Sequence, residues 1–122
     1  MKEYLIKQTS DTGGDSVDTT SEPIFGRLYA VTVVDGNLAD NFDITLTYAN
    51  AQAGTITLLT LTNLSADKIY YPRTLVQGLD GVDLTGTAGG DREMQLVAGV
   101  VTSTLADGGS LTSGSVLLYI VD

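Results

Sequence analysis

The sequence contains no cysteine, no histidine and no tryptophan among its 122 residues. The absence of cysteine excludes a disulfide framework and any thiolate metal site. Histidine and cysteine are also the side chains most used for acid–base and nucleophilic chemistry near neutral pH. An enzyme built from this chain would depend on carboxylates, tyrosine, lysine or serine alone. We therefore predict a protein with no enzymatic activity and no cofactor.

Basic residues are scarce as well. Six lysines and arginines stand against fifteen acidic residues, which gives a formal net charge of −9. Nucleic-acid binding takes most of its affinity from Lys and Arg at the phosphates, and anionic lipid surfaces attract the same side chains. No apolar run approaches the roughly 18 residues needed to span a bilayer. We predict that neither a nucleic acid nor a membrane is a partner, and that like charges keep the molecules apart until specific contacts form.

Most of the chain consists of short runs rich in threonine, valine and leucine, separated by glycine, asparagine and aspartate. β-Branched residues favour pleated strands over helices, and runs at this spacing are typical of a sandwich or barrel. We predict an all-β domain, a single antiparallel β-sandwich, jelly-roll or immunoglobulin-like, with about seven or eight strands. The predicted strands cover residues 2–8, 27–34, 42–48, 55–62, 68–71, 92–101 and 115–121.

The N-terminal segment, residues 1–24, is predicted to be a strand followed by a flexible polar stretch, and residues 25–122 form the sandwich domain. Residues 9–22 are rich in glycine and aspartate and predict a long loop or hinge. The first strand has two interpretations. It reaches a neighbouring chain as an arm and adds a strand to that chain's sheet edge, or it is the first strand of its own sandwich, which we favour. In either case Tyr4 and Ile6 face one side, and Leu5 and Lys7 the other.

Two predicted strands are apolar on both faces. Residues 27–34 place Leu28, Ala30, Thr32 and Val34 on one face and Tyr29, Val31 and Val33 on the other. Residues 115–121 read SVLLYIV, and an open edge of this composition would aggregate, so we place this strand inside a sheet. A strand with two apolar faces is deeply buried or covered by a partner. The excess of apolar faces predicts protein partners.

An acidic turn follows the strand of residues 27–34. Its oxygen-bearing side chains are those of Asp35, Asn37, Asp40 and Asp43. A calcium-binding EF-hand loop needs glycine at its sixth position and glutamate at its twelfth, where this chain has Asp40 and Leu46. We therefore favour a structural turn whose side chains bond the backbone. The same interpretation applies to a second acidic loop, which contains Asp80, Asp83 and Asp91. No metal site is predicted.

The string Tyr70-Tyr71-Pro72-Arg73 is the most distinctive short motif. Aromatic residues and arginine are enriched in protein interfaces. Alternatively, the motif is a strand end whose tyrosine rings cap the core while Arg73 pairs with a carboxylate, because proline cannot donate to a sheet and places this segment at an edge or strand end. The predicted protein-interface residues are Tyr4, Ile6, Tyr70, Tyr71 and Arg73.

The order of these features resembles a group of small structural proteins of tailed bacteriophages, which are found with capsid and neck components. The shared features are the strand GRLYAVTVVDG, an acidic turn, the strand NFDITLTY, the step IYYPR, a loop rich in glycine and aspartate, and a last strand that begins with Gly-Ser. The most specific parts are residues 42–45 and Tyr71-Pro72-Arg73. The resemblance implies a virion protein on the capsid surface, made in the host bacterial cytoplasm: a cement or decoration protein that binds and stabilises the assembled shell.

The resemblance also implies the partners. They are the major capsid protein or other virion proteins, together with further copies of the chain. A homotrimer is favoured because it would fit the three-fold positions of a shell, and a dimer is the second choice. Two other functions remain as alternatives. One is a neck, tail or receptor-binding component of the same particle. The other is a carbohydrate-binding β-sandwich module, against which the absence of tryptophan counts.

Overall fold

The computed structural model describes residues 1–50, 52, 54–75 and 92–122, and it contains no helix in these ranges. The strands in this part of the chain are β1 Lys2–Thr9, β2 Ser16–Thr19, β3 Ile24–Val34, β4 Phe42–Asn50, β5 Gly54–Leu64, β6 Lys68–Tyr70, β7 Thr74–Leu75, β8 Arg92–Glu93, β9 Gln95–Gly99, β10 Val101–Ala106 and β11 Ser113–Val121. None of the described residues forms a helix long and apolar enough to cross a membrane.

The strands form two antiparallel sheets that pack face to face. The five-stranded sheet has the order β1-β11-β3, and the far side of β3 pairs with β9 through residues 24–28 and with β6 through residues 31–33. The four-stranded sheet has the order β2-β10-β4-β5, and β7 pairs with β8 separately. The predicted antiparallel β-sandwich is confirmed. It has more strands than the predicted seven or eight, because β2 and β10 were not recognised as strands.

The core lies between the two sheets. β4 alternates regularly, with Phe42, Ile44 and Leu46 almost fully buried and Asp43, Thr45 and Thr47 turned outward. β11 lies between β1 and β3, so its predicted interior position is also confirmed. The most deeply buried apolar side chains of the core are those of Ile6, Ile24, Leu28, Val31, Val33, Phe42, Ile44, Leu46, Val97, Val101, Leu105, Val116, Leu118 and Ile120.

A β-bulge overturns part of the facing predicted for β3. Ile120 pairs with Leu28 and the preceding Tyr119 pairs with Ala30, so Tyr29 is an extra residue on β3. A bulge of this kind inverts the alternation of side chains beyond it. Leu28 therefore shares the core face with Val31 and Val33, and not with Ala30, Thr32 and Val34 as predicted. β5 carries a further irregularity at Leu58, because Leu46 pairs with Leu59 while the next residue, Thr47, pairs with Thr57.

The N-terminal segment belongs to both sheets. β1 pairs with β11 over its whole length in the chain's own sandwich. The prediction that residues 9–22 form one uninterrupted loop is wrong, since β2 lies within them and pairs with β10. β2 escaped detection because it is short and Val17 is its only apolar residue. The division of the chain at residue 24 stays a prediction, although strands from both sides of it share the two sheets.

A buried polar pair ties the two sheets together near the turn between β1 and β2. The Gln8 side chain of the larger sheet is only 1% exposed, and its Nε2 donates to the Ser103 carbonyl of the smaller sheet at 3.1 Å. Ser103 Oγ donates in return to Gln8 Oε1 at 2.9 Å. A buried amide must satisfy its polar atoms, so these bonds fix β1 against β10.

Candidate protein-binding face

The outward side of the five-stranded sheet is the strongest candidate for a functional site. Residues paired across neighbouring strands point their side chains to the same side of a sheet, so the register defines rows. One row runs Leu5–Leu117–Thr32–Ile69, and a second runs Val121–Arg27–Leu96. We call this surface the apolar outer face and define its apolar and aromatic residues as Leu5, Phe25, Tyr29, Ile69, Tyr71, Leu96, Leu117, Tyr119 and Val121.

Several side chains of this face are highly exposed to solvent. Phe25 is 69% exposed, Leu96 63%, and Leu5 and Tyr71 53% each. Single exposed apolar residues are common on proteins, whereas a contiguous group of them marks an interaction site. Phe25 and Leu96 lie on the paired strands β3 and β9, Leu5 lies on β1, and Tyr71 follows β6 and contacts Tyr29, so these exposed residues share one side of the sheet.

The outward side of the four-stranded sheet has a different chemistry. Threonine predominates on this side. One row of four threonines, Thr19–Thr102–Thr47–Thr57, crosses all four strands. Of the exposed large apolar residues in the described ranges, only Val17 lies on this side. Threonine suits a solvated strand surface, and paired threonines stabilise neighbouring strands. The exposed apolar surface therefore lies mainly on one side of the sandwich.

An aromatic cluster stands at the bulge of β3, on the apolar outer face. The rings of Tyr29 and Tyr71 meet edge to face, with centroids 5.7 Å apart. The Arg73 guanidinium lies 5.6 Å from the Tyr29 ring centroid, and its Nη1 donates to the carbonyl oxygens of Tyr29 at 2.9 Å and Pro72 at 2.6 Å. The stacked cation and the bonds to the backbone hold the cluster in one arrangement, which lowers the entropy lost when a partner binds.

The residues predicted from the sequence as a protein interface divide between this face and the core. Tyr71 and Arg73 lie on the face, as described above. Tyr70 points the other way, half-buried against the core, with Lys68 Nζ 5.2 Å from its ring centroid. This placement matches the alternative in which a tyrosine caps the core. The carboxylate predicted there for Arg73 is replaced by backbone carbonyls.

The two predicted interface residues of β1 face inward. Ile6 is 2% exposed and belongs to the core, and Tyr4 packs against the core from the edge. A buried side chain cannot contact a partner in this arrangement, so β1 presents Leu5 to the outside instead. Phe25, Leu5 and Leu96 were missed as interface candidates. The usable signal was the apolar content on both faces of β3 and β11.

The acidic turn after β3 is held by its own polar side chains. Asn37 Oδ1 accepts a hydrogen bond from the Ser113 N–H at 2.7 Å, and Asp43 Oδ1 accepts one from the Asn63 N–H at 2.8 Å. These bonds support the structural interpretation of the turn. No cluster of three or more acidic residues suited to a metal ion occurs in the part of the chain that the structure describes. The second acidic loop, with Asp80, Asp83 and Asp91, lies outside that part.

The turn between β1 and β2 gives a testable pH dependence. Asp11 Oδ1 accepts hydrogen bonds from the N–H groups of Asp15 at 3.0 Å and Gly13 at 2.8 Å. These bonds, that of Asp15 first, favour the charged form and lower the pKa of Asp11 from its ordinary value of 3.8. The stability they add is therefore present above the unfolded pKa and is lost as the pH falls through the folded pKa. We expect an NMR titration to give a pKa below 3.8 for Asp11. A value at or above 3.8 would mean that this turn is open in solution.

A cleft of about 400 Å³ opens beside the apolar outer face, where Arg27 and Leu96 meet Tyr48, Ile56 and Glu93. Its lining mixes an arginine, a carboxylate and apolar side chains.

No protein-family model matches the chain, and no curated protein shows a significant match. Among solved structures, the crystal structure of FLHE is similar over 99% of this chain and 97% of that one, with 10% identity and a TM-score of 0.41. A chain from the structure of infectious bursal disease virus Gt strain is similar over 98% of this chain and 34% of that one, with 15% identity and a TM-score of 0.38. This chain thus spans about a third of that viral chain. Likenesses this distant carry no argument about function.

Proposed function

We propose that the protein is a non-enzymatic structural component of a bacteriophage virion, a cement or decoration protein that binds the assembled capsid through its apolar outer face. The observation that carries the proposal is the contrast between the two outer surfaces of the sandwich. One presents aromatic and aliphatic side chains and the other presents threonine rows. The assignment to a phage particle rests on the sequence resemblance to phage structural proteins. The assignment of the binding side rests on the surface chemistry of the sandwich.

The composition of the apolar outer face suits a protein partner. Protein interfaces are enriched in tyrosine, phenylalanine and arginine at their centres and are depleted in acidic residues. Here Tyr29, Tyr71 and Arg73 form a preorganised group, and Phe25 and Arg27 lie on the same side of β3. A chain with a net charge of −9 therefore concentrates cationic and aromatic groups on the surface proposed to bind.

Binding to the assembled state also explains how such a protein would strengthen a shell. A ligand that binds only the assembled coat lowers the free energy of assembly by mass action, without any chemistry of its own. A rigid sandwich suits this role because its sheet face is fixed before contact, so little conformational entropy is lost on binding.

The proposal is tested by mixing the purified chain with undecorated capsids of the phage that encodes it and sedimenting the particles. We expect the native chain to co-sediment. The double variant Phe25→Ser/Leu96→Ser should bind at least about tenfold more weakly, because truncation of buried interface anchors typically removes this much affinity or more.

The matched control is Val17→Ser, which removes a side chain as exposed as Phe25, at 68% against 69%, but on the threonine side. It should bind like the native chain. Absence of native co-sedimentation would sink the cement proposal, and an equal loss in the control would show that the wrong face had been assigned.

A further inference from the structure

In the part of the chain that the structure describes, no strand covers the outer edge of β1. β1 ends the five-stranded sheet and pairs only with β11 among the strands described. It has eight residues, no proline and no break in its register with β11. Natural sheets protect long edges with proline, bulges, short strands or charged side chains, because an open edge can pair with another chain. β1 has none of the first three protections, and its charged residues are Lys2, Glu3 and Lys7.

The hydrogen-bonding pattern between β1 and β11 shows which backbone N–H and C=O groups of β1 point away from β11. Ser10, which continues the register of β1, donates its N–H to the Thr112 carbonyl at 2.8 Å. Hydrogen-bonded pairs recur at every second residue of an antiparallel ladder, so the even-numbered residues of β1 bond β11. The N–H and C=O groups of Glu3, Leu5 and Lys7 consequently point away from the sheet.

The side chains of these three residues are self-complementary. When two antiparallel strands pair about a two-fold axis at Leu5, Leu5 lies opposite Leu5 of the second copy, and Glu3 lies opposite Lys7 in both directions. Side chains directly opposite in such a ladder are close enough for opposite charges to attract. In the same register every outward N–H and C=O of the three residues finds a partner.

Neighbouring registers lose this match. An axis at Ile6 would place Leu5 opposite Lys7, and an axis at Tyr4 would place Glu3 opposite Leu5, so neither forms an ion pair between the strands. The axis at Leu5 also continues the apolar row Ile69–Thr32–Leu117–Leu5 directly into the second copy.

We infer that the chain forms a two-fold homodimer by antiparallel pairing of β1 with β1 of a second copy, in the register that places Glu3 opposite Lys7. Each copy uses its single β1 edge, so the assembly closes at two and does not grow into a fibre. The pairing joins the two apolar outer faces into one continuous surface. The dimer needs no other component of a particle. The trimer predicted from the sequence would need another surface.

Charge exchange tests this register. Sedimentation equilibrium of the full-length chain over a range of concentrations should show a monomer–dimer equilibrium. Glu3→Lys and Lys7→Glu should each weaken the dimer by about tenfold or more, because each places like charges opposite one another twice. The double variant Glu3→Lys/Lys7→Glu should return to within about threefold of the native dissociation constant.

The control for net charge is Glu22→Lys, which makes the same change as Glu3→Lys at an exposed position outside β1. It should leave the dimer intact. A native chain that stays monomeric would overturn the inference, and so would a double variant that fails to recover or a control that weakens the dimer equally. Because no capsid is present, none of these outcomes bears on the co-sedimentation test.

A second measurement uses the absence of cysteine from the chain. Leu5→Cys places two thiols opposite each other, with Cα atoms about 5.5 Å apart, which is within disulfide range. Mild oxidation should convert most of this variant into a covalent dimer. Lys7→Cys, whose two copies lie far apart in the same register, should stay uncrosslinked. Equal crosslinking of the two variants would contradict the register.

Discussion

Gly36→Ala should lower the free energy of unfolding by about 3 kcal/mol or more. Gly36 has a φ of +61°, which costs a residue with a Cβ about 1 kcal/mol or more. A Cβ there would also overlap the carbonyl oxygen of Ser113, where β11 begins. Overpacking against a fixed backbone adds roughly 1–3 kcal/mol. The turn after β3 and the start of β11 would have to separate to make room.

Gly54→Ala is the matched control for this prediction. Gly54 also has a positive φ, +79°, but a Cβ there would meet no atom within 4 Å. This variant should lose only the conformational part, about 1 kcal/mol. Urea denaturation of both variants measures the difference. Equal losses would show that the turn after β3 accommodates a side chain, and that its contact with β11 is looser than described.

The sequence predicted the elements whose alternation is regular and whose ends carry turn residues. β4 is the best case, because its apolar residues alternate without a break and Gly36 marks the turn before it. β2 could not be predicted, because a strand of four residues with one apolar side chain has no periodic signal of its own. β2 forms because it pairs with β10, whose residues lie about 85 positions further along the chain.

The residues of the apolar outer face could not be assigned from the periodicity of the sequence alone, because the periodicity does not show where a bulge lies. Alternation in β3 assigns side chains to two faces but does not say where the assignment inverts, and the bulge at Tyr29 inverts it. The apolar content of both faces of β3 and β11 was visible in the sequence and indicated a partner. Which residues form one surface became clear only from the pairing of β3 with β9, which brings Leu96 opposite Arg27.

The two sides of the five-stranded sheet therefore have different physical roles. Inward side chains hold the sandwich together and are closed to solvent. Several outward side chains, among them Leu5, Phe25 and Leu96, keep more than half of their surface in solvent, so they add less to the stability of a single chain than core residues do. Adjacent leucines in β11, Leu117 and Leu118, separate these roles within one strand, since Leu117 faces outward and Leu118 faces the core.

Leu118→Ala should lower the free energy of unfolding by about 2–5 kcal/mol, the range for removing a buried leucine side chain. Leu118 is fully buried in the core, at 0% exposure. Leu117→Ala removes the same atoms from a half-buried position on the apolar outer face, so its loss should stay below about 1 kcal/mol. Urea denaturation measures both.

For capsid binding, the order of the two effects should reverse, and Leu117→Ala should have the larger effect. Among chains that remain folded, Leu117→Ala should be retained on capsids less well than native protein, because Leu117 lies in the row between Leu5 and Thr32 that a partner would cover. Leu118→Ala should be retained normally at temperatures where it is folded. If Leu117→Ala and Leu118→Ala lowered the free energy of unfolding equally, the outer face would be packed within the single chain. Its apolar residues would then need no partner to explain them.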